Sequence, residues 1–102
     1  MQSAMADSIA FSPEAEHDLH EIEVFENEVT CKGTQIAEAI VDRLNVVKGS
    51  IRLGIEVRSV EGLETRKLVI VRYGCFYQIE SETELLVISI FDTRQNPEKL
   101  KV

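Results

Sequence analysis

The residues of this chain best suited to chemistry lie in its second half. Arg66, Lys67, Arg72 and Arg94 are cations, and Tyr73 and Tyr77 are phenols, on or beside strand-like sequence. Such a set suits a phosphodiester. Metal-independent cleavage of RNA needs one group to take the 2′-hydroxyl proton, one to protonate the leaving oxygen, and cations around the phosphate. Each residue also has a plainer reading. Arg66 and Lys67 can be solvated strand residues. Arg94 can pair with Asp92 and fix the tail, a surface contact worth about 0–1 kcal/mol. Tyr73 can be a turn residue, and Tyr77 can pack rather than stack a base. Asp92 counts against the nuclease reading, because an acid beside a scissile phosphate repels it. His17 and His20 are three apart on acidic helical sequence and lack the further His or Cys that a metal site would need. No metal or cofactor is expected. A Gly-rich phosphate loop and a Ser/His/Asp order are both missing.

The totals narrow the class further. A chain of 102 residues is one domain, spanning 1–102. Its 44% hydrophobic and 28% charged content suits an ordinary globular protein with a core of its own. No apolar run reaches the roughly 20 residues that span a bilayer, and the start lacks the pattern of a signal peptide. A cytoplasmic location with no membrane partner is the expectation. Cys31 and Cys75 read as reduced thiols. The net charge of −7 is uneven: residues 1–50 hold three basic and ten acidic side chains, and residues 51–102 hold eight of each. That balance argues against nonspecific nucleic-acid binding, which rests on neutralising phosphates.

Positioning the candidate residues requires a sheet. Residues 66–72, 75–80 and 85–91 read as three strands, with turns at Tyr73-Gly74 and at 81–84. The last run is apolar on both faces, as in a central strand. Strands this close can pair only antiparallel. The first half should cover them. The first eight residues carry no pattern and are expected to fray. Residues 9–11 could add an edge strand. Ser12-Pro13-Glu14 is a helix start: a cap, a first-turn proline, and an acid at the positive end of the dipole. Ala15, Leu19, Ile22, Phe25 and Val29 then mark the buried face of one helix. Gly33 is read as a left-handed cap and Thr34 as the next N-cap. The second helix buries Ile36, Ala37, Ile40, Leu44 and Val47, with Val41 beside them, and fades near Gly49. Residues 55–60 can form one more strand, and Pro97 stops the last. The class is α+β, with an N-terminal helical hairpin packed on a curved antiparallel sheet.

Three stretches in this order, FSPEAEHDLHEI at 11–22, RKLVIVRYGCFYQIE at 66–80 and ISIFDTRQNPEKLK at 88–101, resemble the RelE/ParE superfamily of toxins from type II toxin–antitoxin modules. The ending looks most like the plasmid-stabilisation, ParE-type branch. The resemblance implies a cognate antitoxin whose disordered segment wraps the toxin and folds on binding. It also implies one of two targets. ParE-type members inhibit DNA gyrase without cleavage, and RelE-type members cut mRNA in the ribosome. If the nuclease branch applied, Arg66, Tyr77 and Arg94 would be catalytic. Lys67, Arg72, Tyr73 and Gln95 are the expected target-binding residues. Many nuclease members carry a His near the position of Asp92, so the expectation leans to the gyrase branch. A partner-binding domain without toxicity is the remaining alternative.

Overall fold

The computed structural model describes residues 8–94. The expectations for residues 1–7, Gln95 and Pro97 lie outside that range. In chain order the elements are β1 (Ser8–Phe11), α1 (Pro13–Thr30), α2 (Gly33–Val47), β2 (Ile55–Val60), β3 (Leu63–Ile70), β4 (Tyr73–Ser81) and β5 (Glu84–Asp92). The expected class holds: a helical hairpin covers one face of a sheet ordered β1-β5-β4-β3-β2. Strands β2 to β5 form the antiparallel meander. The sheet is mixed, however, because β1 joins β5 in parallel. The strand itself was expected, starting one residue later. Its direction follows from the hairpin and three strands that separate it from β5 in sequence, room enough for a parallel return.

The start of α1 is local chemistry. Ser12 Oγ accepts from Ala15 N–H at 3.0 Å, and Pro13 takes the first helical position. The same serine also serves the sheet. β1 covers β5 only as far as Val87. Beyond it, Ser12 Oγ donates to Ile88 O at 3.1 Å and Asp18 Oδ2 accepts from Ile90 N–H at 3.0 Å. Side chains of the helix thus satisfy backbone groups that the short edge strand leaves open.

The buried stripe of α1 departs from its periodicity after Ile22. Ala15 and Ile22 are buried and Leu19 packs on the core. Phe25 and Val29, expected inside, are 40% and 62% exposed, and Glu26 is fully buried in their place. The cause is tertiary, as the site shows below.

The link between the helices also differs from expectation. Cys31, not Gly33, takes the left-handed position, with φ 60°, and donates its N–H to Asn27 O at 3.2 Å. Gly33 is the first residue of α2, and its N–H donates to Asn27 Oδ1 at 2.7 Å. A Cβ there would lie 2.6 Å from Asn27 Cγ, so the glycine is needed for close approach of the two helices. Thr34 is inside α2, where its hydroxyl donates to Glu23 at 3.0 Å. The helix buries Ile40, Leu44 and Val47 against the sheet face that carries Ile70, Cys75 and Ile90.

The β3–β4 turn falls at Val71-Arg72, two residues before its expected place, and Tyr73-Gly74 begin β4. Ile70 pairs with Tyr73 across this two-residue turn. Gly74 is not there for a positive φ. A Cβ on it would lie 2.6 Å from the Phe91 ring, which stacks on Phe76 at 5.3 Å on the face turned away from the helices.

Candidate functional site

The expected site residues fall into two clusters at opposite ends of the sheet. The first surrounds the β3–β4 turn and the end of β5. It contains Arg72, Tyr73 and Arg94, with Asp92 and Glu26. The strand register puts Tyr73 opposite Asp92. Two residues back from Tyr73, Val71 sits at φ 60°. That conformation is strained for a β-branched side chain, at about 1–3 kcal/mol. The turn aims Arg72 and Tyr73 together at α1. Arg72 Nη2 and the Tyr73 hydroxyl both donate to Glu26 Oε2. The Arg72 guanidinium also lies 5.3 Å from the centre of the Tyr73 ring. Thr93 closes the turn from the other side, its hydroxyl donating to Arg72 O at 2.9 Å.

Glu26 is the residue that sequence reasoning missed. It is not among Ala15, Leu19, Ile22, Phe25 and Val29, the expected buried face of α1. A signal was present: positions 15, 19, 22 and 26 continue the helical spacing as well as 25 and 29 do. What the sequence lacked was any mark that a partner for a buried acid waited 46 residues further on.

The Asp92–Arg94 pair is present as one of the two readings held. Asp92 Oδ1 accepts from the Arg94 backbone N–H at 2.9 Å and from Nε at 3.3 Å, and Oδ2 accepts from Nη2 at 3.2 Å. These hydrogen bonds hold the Asp92 carboxyl below its ordinary value and raise Arg94. The Arg94 side chain is 61% exposed, and its charge is matched by the carboxylate beneath it.

The second cluster lies about 13 Å away along β4, four residues at 3.3 Å each from Tyr73 to Tyr77. Here Arg66 Nε donates to Glu64 Oε2 at 2.7 Å, and Nη1 donates to Gly54 O at 2.7 Å and Arg52 O at 3.3 Å. The Arg66 bond pulls Glu64 below its ordinary pKa. Tyr77 is fully buried. Its hydroxyl donates to Ile51 O and accepts from Gly54 N–H, both at 2.9 Å. Arg66 and Tyr77, neighbours across the β3–β4 ladder, thus fasten residues 51–54, the passage from α2 to β2, onto the sheet.

Burial raises the pKa of both tyrosines. That moves them away from neutral pH, where a general acid works best. Lys67 points to the opposite face of β3, between Ile55 and Phe76 in the ladder. The geometry therefore joins Arg72, Tyr73 and Arg94, joins Arg66 and Tyr77, and leaves Lys67 apart from both groups. His17 and His20 are exposed on α1, and no group of three metal-ligating side chains forms among the described residues. Both cysteines are free. Cys75 is buried, and burial pushes its thiol up to about 12, which makes it an inert core residue. No helix among the described residues is long and apolar enough to cross a membrane.

Comparison with known proteins agrees with this architecture. The family described as "ParE toxin of type II toxin-antitoxin system, parDE" matches residues 9–97. No curated protein is similar enough in sequence to match. Among solved structures, the chromosomal ParDE toxin–antitoxin system of P. aeruginosa aligns with a TM-score of 0.69 at 16% identity, over 87% of this chain and 96% of that one. The RelBE2 toxin–antitoxin complex of Mycobacterium tuberculosis aligns with a TM-score of 0.63 at 18% identity, over 90% and 97% of the two chains. At these identities the two structures speak for the fold.

Proposed function

The chain belongs to the ParE toxin family of type II toxin–antitoxin systems, and from that premise we propose that it inhibits DNA gyrase by binding, without cleaving RNA. It acts as one domain in the cytoplasm, is held inactive by a cognate antitoxin, and stabilises the replicon that encodes the pair. The observation that carries the gyrase reading is the employment of the candidate catalytic groups. Arg66 is bonded to Glu64 and two carbonyls, and Tyr77 to two backbone groups. Arg94 is matched by Asp92. A phosphodiester would have to displace these partners and reach two clusters about 13 Å apart along β4. General acid–base work needs its groups within hydrogen-bond reach of one reacting centre.

On this reading Arg72, Tyr73, Lys67 and Gln95 remain the target-binding candidates, and Arg66, Tyr77 and Arg94 are structural. The direct test is a supercoiling assay with purified gyrase. The chain is expected to block supercoiling, and its antitoxin to relieve the block. Full supercoiling at a large molar excess of the chain would overturn the proposal. An antitoxin partner is favoured by the family and by both similar structures, each a toxin–antitoxin assembly.

A further inference from the structure

We propose that the side chain of Val71 serves contact with the target and not the fold. This rests on the gyrase reading above and names the apolar anchor of that contact. The β3–β4 turn has two central residues, Val71 and Arg72, between the paired Ile70 and Tyr73. Only the first has a positive φ, at 60°. That is the pattern of a type II′ hairpin, whose first place glycine fills at no steric cost. A β-branched residue there is an outlier. The β2–β3 hairpin follows the usual turn chemistry. Its central residues, at φ 55° and 80°, are the polar Glu61 and Gly62.

Packing does not explain the valine. Val71 is 60% exposed, and it belongs neither to the buried core nor to the partly buried side chains packed against it. A glycine would make the same turn and aim Arg72 and Tyr73 at Glu26 equally well. It would also leave no apolar group in water. The valine side chain therefore costs the fold twice, in backbone strain and in apolar exposure. A residue held so at a loop tip is a mark of function. Its neighbours agree. Val71 follows Val69, which is 52% exposed, and it lies in the chain between two target-binding candidates, Lys67 and Arg72. The gyrase surface that fits this tip is an apolar recess able to take a branched aliphatic side chain.

The test is a titration of gyrase supercoiling with the full chain as wild type, Val71→Gly, Val71→Asn and Val71→Ile, beside a thermal melt of each. Val71→Gly and Val71→Asn are expected to need about tenfold more protein for half inhibition, the effect of losing one buried valine contact. Both should melt at or above the wild-type temperature, because each relieves the strained turn. Val71→Ile keeps an apolar, β-branched side chain and should inhibit like the wild type. Unchanged inhibition by Val71→Gly would overturn the proposal. So would a lowered melting temperature, which would make the side chain part of the fold, or a loss of potency in Val71→Ile equal to that in Val71→Gly. A wild type that fails to inhibit removes the gyrase reading and this contact with it. An active wild type with an equally active Val71→Gly removes the contact alone, so the two failures are told apart.

Discussion

At the scale of residues, the centre of the molecule is a carboxylate that no solvent reaches. Glu26 is fully buried and accepts from both Arg72 and Tyr73. Removing one partner of such a group strands the others. Glu26→Gln is therefore expected to lower unfolding free energy by about 3–5 kcal/mol, measured by urea denaturation. Replacing the whole set by apolar side chains, Glu26→Met with Arg72→Met and Tyr73→Phe, should recover most of that loss. If the single variant were neutral, the cluster would hold nothing together. Tyr77→Phe leaves Gly54 N–H and Ile51 O without their side-chain partner. It should cost about 1–3 kcal/mol while leaving growth arrest intact wherever the protein remains folded.

Acid sensitivity belongs to the same scale. The Asp92 carboxyl is held below its ordinary value near 3.8 by hydrogen bonds from Arg94. A group with a depressed folded pKa contributes in full above its unfolded value, and the contribution disappears as pH falls through the folded one. Asp92→Asn should therefore lower stability at neutral pH and flatten its decline below about pH 4. Urea midpoints from pH 7 to 2 provide the check, and parallel curves for wild type and variant would contradict it.

At the scale of elements, the two turns that departed from expectation teach the same lesson. Gly33 and Gly74 were natural choices for positive φ, and neither is used that way. Each is a place where something packs too closely for a Cβ: the Glu23 carbonyl and the Asn27 side chain on one, the Phe91 ring on the other. At these two turns the positive φ values fall instead on Cys31 and Val71, which carry side chains. Tertiary demands chose those positions, since Val71 must turn the chain so that the next two residues meet Glu26. Val71→Gly should thus be neutral or stabilising by about 1 kcal/mol, although it deletes an aliphatic side chain. Gly33→Ala should destabilise by about 1–3 kcal/mol because the helices must move apart. Thermal melts of the two variants should shift in opposite directions or only the second should shift.

What was legible in the sequence was whatever local chemistry decides. The Ser12-Pro13 start, the apolar face of α2, the inner position of β5 and the antiparallel meander all follow from caps, periodicity and short connections. The Asp92–Arg94 pair could be weighed because its partners are two residues apart. Glu26 could not be placed, nor could the double use of Tyr77, whose partners lie 23 and 26 residues away in sequence. The parallel direction of β1 was equally out of reach, because no short connection fixed it.

At the scale of the whole molecule, the acidic helices cover one face of the sheet, and Lys67 lies on the other. Of the cations that suggested nuclease chemistry, Arg66, Arg72 and Arg94 are ion-paired in two separate clusters and Lys67 lies on the opposite sheet face. On the proposed function, the protein stops growth without cutting RNA. The measurement that tests it most directly is a map of cellular mRNA 5′ ends after induced expression, for the wild type and for Arg94→Ala. Growth arrest with an unchanged map is expected in both. New ends inside translated codons in the wild type, absent from Arg94→Ala, would contradict it and make Arg94 a catalytic residue.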